Sequence, residues 1–320
     1  MPNNTYSLAL HAMQVQKHIR IARACAKLPA NLAYIAAERL IPSGGHLLFN
    51  ENEQKDAIQK WREITKKYIS ENELWLSIKS NHSTSLLHAA WYRHKIKNIL
   101  NSVTTFDEAW PDISLQLSKN KNGALILTLH NDVHHSLCAV IAQLTHTPVW
   151  MIAMTENSSP MYPWLKKELH QMHTDCATQM HGGGFLFIES QKNRQRIKDK
   201  LNQKNIVVSM HDTTAPPGTR PFSIPLFDRQ LEVPIGAVEL ATHLGCPIYF
   251  AALAWRPTQR TYHLVCQQLP NHDPSSTLHA YASAITELVR KSPWAWSGWQ
   301  WFHNMPPLRT PVTPPPSSIT

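Results

Sequence analysis

The chain has 320 residues, 42% of them hydrophobic and only 17% charged, with eleven Trp, a composition that excludes disorder over the whole length and suits one large α/β domain or two average ones. Its 31 Lys and Arg against 22 Asp and Glu give a net charge of +9, and up to position 100 there are 14 basic against 7 acidic residues. No apolar run approaches the roughly 20 residues of a membrane-spanning helix, the N-terminus lacks a signal peptide's compact apolar region, and five Cys without CxxC pairing argue against both a disulfide framework and a Cys-based zinc module, so a cytoplasmic protein is expected.

Residues 6–100 read as helical, with apolar positions recurring every three or four residues through Ile58, Trp61, Ile64 and Tyr68 and again through Leu86, Leu87, Ala90 and Trp91. The segment Ile41-Pro42-Ser43-Gly44-Gly45 interrupts them with turn residues. From Gly123 the texture changes. Short apolar runs at 123–129, 149–154, 184–188, 206–210 and 247–255 alternate with segments of helical composition, which is the pattern of βαβ units. The fold class expected is therefore α/β, a largely parallel central sheet flanked by helices. A basic helical N-terminal region (1–105) precedes the α/β domain (106–305), and a Pro-rich disordered tail (306–320) follows it. Residues 211–232, with four prolines and no clear period, read as one long loop.

Candidate chemistry gathers at Leu129-His130-Asn131-Asp132-Val133-His134-His135, where a buried strand ends and a helix from Asp132 to about Leu144 begins. Ligands and catalytic groups collect at the carboxyl ends of parallel strands. A His there can act as general base, and Asn131 with the helix N–H groups can bind developing negative charge. His130 and His134 have the spacing of a zinc-protease helix, but Asn131 stands where HExxH needs its Glu, so a hydrolytic metal site is not expected. His181-Gly182-Gly183-Gly184 superficially resembles a lipase oxyanion loop. No GxSxG elbow accompanies it, and it reads as a turn into the strand that follows. No GxGxxG or P-loop is present, so no nucleotide cofactor is expected.

Several segments in order resemble the bacterial lipid A biosynthesis (lauroyl/myristoyl) acyltransferases within the wider glycerolipid acyltransferase superfamily. Gly123–His130 is similar to the strand entering that family's HX4(D/E) motif. His211-Asp212 with Pro217-Gly-Thr-Arg220, Ile224-Pro-Leu-Phe227, Pro234-Ile-Gly236 and Leu244-Gly-Cys-Pro-Ile248 resemble its later blocks, and Pro293-Trp-Ala-Trp296 with Trp299-Gln-Trp301-Phe-His303 its Trp-rich C-terminal signature. The likeness spans roughly 120–303. It implies transfer of an acyl group from an acyl carrier protein or coenzyme A thioester to a hydroxyl or amine acceptor, with the thioester as substrate and no cofactor.

In this reading His130 is the general base. The acidic position five residues later is His135 here, so His135 or Asp132 is expected to orient it. Asn131 would contact oxyanion or substrate, Asp212 would hold the acceptor, and Arg220 would bind a phosphate. The family's N-terminal membrane helix is also missing, and an amide-forming step in specialised metabolism stands beside lipid acylation. Two other classes stay open: a non-catalytic relative that binds acyl chains or a carrier, and a nucleic-acid binder, which no recognition module or aromatic–basic interleaving supports. The basic N-terminal third suits an acidic carrier or peripheral contact with the inner membrane.

Overall fold

The structure, a computed structural model, describes residues 3–41, 59–60, 62–63, 70–92, 94–119, 122–131, 133–154, 163–188, 192–216, 218–302 and 304–308. Helices α1 (Asn3–Cys25), α2 (Ala30–Leu40), α3 (Glu71–Trp91) and α4 (Ile96–Ser102) lead into strand β1 (Val103–Phe106) and helix α5 (Trp110–Lys119). Strands and helices then alternate: β2 (Ala124–Thr128), α6 (His134–Thr145), β3 (Val149–Met154), α7 (Pro163–Ala177), β4 (Gly184–Ile188), α8 (Lys192–Asn202) and β5 (Ile206–Met210). A hairpin of β6 (Pro221–Leu226) and β7 (Arg229–Pro234) precedes α9 (Gly236–His243), β8 (Ile248–Arg256), β9 (Thr261–Leu269), α10 (Pro274–Lys291) and the short α11 (Trp299–Phe302).

The expected α/β architecture is present as a seven-stranded sheet in the order β1-β9-β8-β2-β5-β3-β4. Its five strands from β8 to β4 run parallel. Strand β9 returns antiparallel to β8, and β1 lies parallel to β9. Side chains alternate between the two faces, as the two-residue strand period requires. Ala124 and Ile126 of β2 with Tyr249, Ala251, Leu253 and Trp255 of β8 enter a core that also holds Ala33, Leu87 and Trp91 from the N-terminal helices. Leu125, Leu127, Phe250, Ala252 and Ala254 enter the opposite core, built with α9, α10 and the C-terminal Trp segment. Helices thus cover both faces, which is why β2 is buried along its whole length.

The N-terminal helices are tied to the sheet layer by buried polar contacts as well. His88 on α3 lies between Tyr34 Oη on α2, at 3.1 Å, and Ser136 Oγ in the first turn of α6, at 2.9 Å. Tyr92 Oη shares that serine at 2.8 Å. A buried polar group without a partner is costly, so these bonds fix where α6 begins. The expected boundary near 105 falls inside β1.

Two readings of the sequence need correction. Residues 211–232 are not one loop, because β6 and β7 pair over six residues, Pro221 opposite Pro234 through Leu226 opposite Arg229. Alternation of Ile224 and Leu226, and of Leu231 and Val233, buries one face of the hairpin, while prolines are tolerated in a two-stranded ribbon that has open edges. The start of the C-terminal tail is ordered: the Gln230 N–H donates to the Pro306 carbonyl and the Leu308 N–H to the Asp228 carbonyl. Residues 309–320 lie outside the described residues, as do Pro42–Gly45, Ile58, Trp61, Ile64 and Tyr68. β1 and β9 were hidden from pattern reading by Thr104, Thr105, His263, Gln267 and Gln268, polar residues on half-exposed strands. No helix among the described residues is long and apolar enough to cross a membrane.

The turn at His181–Gly183 leads into β4, as expected. A Cβ on Gly183 would lie 1.8 Å from the Val149 carbonyl oxygen. Gly183→Ala must push apart the turn and β3, so it is expected to cost about 3 kcal/mol or more, seen as a lowered Tm. An unchanged Tm would show that the close approach is not made.

Candidate active site

Strands β2 and β5 are parallel neighbours with Thr128 opposite Met210. The ladder continues one step as the His211 N–H donates to the Thr128 carbonyl at 3.2 Å. His130 follows Thr128 by two residues and Asp212 follows Met210 by two, which sets them side by side at the carboxyl edge of the sheet, where a parallel sheet presents side chains to ligands. His130 Nδ1 lies 2.6 Å from Asp212 Oδ1, and the His130 backbone N–H donates to Asp212 Oδ2 at 2.8 Å. The carboxylate side chain is fully buried while the imidazole side chain keeps 27% exposure. Nε2, on the far side of the ring, makes no hydrogen bond with any other described residue.

The C-terminal Trp segment closes over this pair. Trp296 Nε1 donates to Asp212 Oδ2 at 2.8 Å and Trp301 Nε1 to the Asp212 carbonyl at 3.0 Å. The Ser297 N–H donates to the His130 carbonyl at 2.7 Å, and the Trp301 ring meets His130 nearly at right angles, centroids 5.6 Å apart. A Cβ on Gly298 would sit 2.0 Å from the Trp296 indole, so only glycine lets that indole fold back to Asp212. Sequence reading assigned these tryptophans to a signature without a role. The signal that a buried indole N–H needs an acceptor was present, but the acceptor was not identifiable without the sheet.

Burial works to raise the Asp212 carboxyl, but the charge of His130, hydrogen bonds from its ring and backbone, and the Trp296 donor outweigh it and hold Asp212 below the ordinary carboxylate value. The pair has the chemistry of a general base held in one tautomer by a buried anion, which stabilises the imidazolium formed when the base takes a proton.

Most of the other expected site residues stand elsewhere. Asp212 cannot hold an acceptor, because its carboxylate is enclosed by His130 and Trp296. His135 is not the orienting partner: its ring packs against His134, His173 and Phe185, with centroids 4.1, 5.1 and 5.7 Å away, and Asp212 takes the Nδ1 edge of His130. Burial first, then the neighbouring His134, His173 and His130, push His135 well below the ordinary imidazole value, so it is neutral. Asp132 lies outside the described residues.

Asn131 is 2% exposed and serves as a brace, not a substrate contact. Its Nδ2 donates to the Leu253 carbonyl on β8, and its Oδ1 accepts from the Val133 N–H, both at 3.2 Å, forming the turn into α6. Arg220 is 69% exposed and paired with Glu239 on α9; no hydrogen bond or ion pair links it to the dyad. His134 Nδ1 engages the Asn131 carbonyl. With both Nδ1 atoms taken, His130 and His134 share no chelating geometry on that side, and among the described residues no cluster of three or more His, Cys, Asp or Glu is placed to hold a metal.

Two further buried histidines are neutral. Burial lowers His88 to about 3. It lowers His211 to about 4 against the opposing pull of the Pro234 carbonyl, the Asp212 charge and the Ser209 carbonyl. Each group is protonated in the unfolded chain below about 6.5 but stays neutral in the fold. The stability they contribute is therefore whole above pH 6.5 and is lost as pH falls toward 4 and 3, up to roughly 3 to 5 kcal/mol each. The urea midpoint should fall steeply between pH 6.5 and 4; a flat midpoint across that window would contradict their neutral burial.

Compared with known proteins, the chain matches no family model and no curated protein.

Proposed function

We propose that the chain is an acyltransferase, moving an acyl group from an acyl carrier protein or coenzyme A thioester to a hydroxyl or amine. The observation that carries this reading is the His130–Asp212 pair, a partly exposed base on a buried carboxylate at the carboxyl edge of a parallel sheet. The ordered resemblance to the lipid A acyltransferases supports it, with one amendment: the orienting carboxylate comes from the neighbouring strand instead of five residues downstream.

The reaction needs one proton in transit. The acceptor O–H or N–H gives its proton to His130 Nε2 as its oxygen or nitrogen bonds to the thioester carbonyl carbon. The tetrahedral oxyanion then collapses, the C–S bond breaks, and the thiolate leaves with the proton returned from Nε2. Helix α6 starts four residues after His130, and its partial positive N-terminal end suits the developing oxyanion. Asp212 stays ionised throughout and holds Nδ1–H. An amide-forming step of specialised metabolism and acylation of a lipid hydroxyl both fit this chemistry, in the cytoplasm or at the inner face of its membrane.

The test is to offer acyl carrier and coenzyme A thioesters with mixed alcohol and amine acceptors and to identify products by mass. Acylated acceptor is the expected result. Carrier binding without any product would overturn the enzyme reading in favour of an acyl- or carrier-binding protein.

Lys17 and Arg20 on α1, Lys27 in the turn that follows and Arg39 on α2 are exposed. If they receive an acidic carrier, its affinity should fall as salt rises past physiological ionic strength, where charges are screened over about 8 Å. Salt-independent binding, followed by titration calorimetry, would point to coenzyme A as donor.

A further inference from the structure

Away from the dyad, a groove of about 370 Å³ runs between the β8–β9 pair and α10. That volume lies in the lower part of the range for small-molecule sites, roughly 300 to 1,000 Å³. Its composition follows from strand alternation. Ala254 pairs with His263 and Phe250 with Gln267, so even-numbered residues of β8 and odd-numbered residues of β9 face α10. Phe250, Ala254 and Val265 make an apolar floor, and Ala284 and Leu288 of α10 an apolar wall.

Charge gathers at the mouth, and all but one group there is already neutralised. Asp107 Oδ1 lies 2.7 Å from His263 Nε2, and its Oδ2 accepts the Cys266 N–H at 2.9 Å. Lys291 Nζ donates to Glu287 at 2.6 Å. Arg256, at the end of β8 on the groove face, is partly buried, and its side chain makes no hydrogen bond or ion pair with a described residue. It is the one charged group of the groove left without a side-chain partner among the described residues, and a guanidinium's forked donors match a carboxylate or phosphate.

We propose that this groove binds a small amphiphilic anion, with its carboxylate or phosphate head on Arg256 and a short alkyl chain over Val265 on the groove floor. The site is separate from the acyl-transfer reading and does not depend on it. The probe is octanoate carrying a terminal diazirine, photolysed on the full chain, with labelled peptides mapped by mass spectrometry. Label should fall within 248–269 and 274–292. Octyl phosphate should compete, while octanol and octyltrimethylammonium should not. Arg256→Gln should weaken labelling about tenfold or more, Arg256→Lys should restore much of it, and His130→Ala should leave it unchanged. Equal competition by the neutral or cationic octyl compound in the native chain, which needs no variant to fold, would overturn the proposal. Label lost in His130→Ala, or undiminished in a folded Arg256→Gln protein, would overturn it too.

Discussion

His130→Ala is expected to reduce acyl transfer by about 10² to 10⁴ while leaving the fold intact, because removal of a positioned general base carries a cost of that order. The side chain is partly exposed and its ring makes one hydrogen bond, to Asp212. The other restraints on this residue, its own N–H to Asp212 and its carbonyl to Ser297, are backbone bonds that alanine retains. Thermal denaturation of the variant should therefore be cooperative. The loss should appear mainly in kcat, since the base acts on the proton in flight and not on the thioester's binding. A folded variant with undiminished turnover would move the chemistry away from this strand end.

Why His130 was legible in the sequence and its partner was not follows from what each depends on. A five-residue apolar strand followed by Leu129-His130 and a helix start is a local pattern, and β2, β3, β4 and β5 appear where apolar runs place them. Asp212 also follows such a run, at the end of β5. What makes it the partner is that β5 inserts between β2 and β3 in the sheet, and strand order is not written in any local pattern. Reading along the chain therefore sought a carboxylate or its substitute within five residues of the base. Position 135, however, lies in α6 and turns its ring toward His173 on α7 and Phe185 on β4. Asn131 misled for a related reason: an amide beside a base suggests oxyanion binding, yet the need to join β2 to β8 and open α6 uses both of its ends. The hairpin of residues 221–234 was obscured because its prolines read as loop, although the alternation of Ile224, Leu226, Leu231 and Val233 was visible.

Asp212→Asn separates this account from the one the local pattern suggested. The native carboxylate accepts from the His130 ring, the His130 backbone and the Trp296 indole. An amide offers one accepting oxygen, and its NH2 must face a donor, leaving a buried donor unpaired at a cost of about 1 to 3 kcal/mol. It also removes the negative charge that stabilises imidazolium and favours the tautomer with Nε2 free to accept, so kcat is expected to fall by about 10³ to 10⁴ with a smaller change in KM. Trp296→Phe keeps the charge and most of the ring's packing but removes one donor, and it should cost about tenfold, the weight of one hydrogen bond to a charged group. His135→Ala leaves the dyad's bonds in place and should change kcat far less than either. Measured side by side, a severe loss in His135→Ala with Asp212→Asn near native activity would overturn the dyad, because no property of the neutral, ring-packed His135 could then be subordinate to the carboxylate on the adjacent strand.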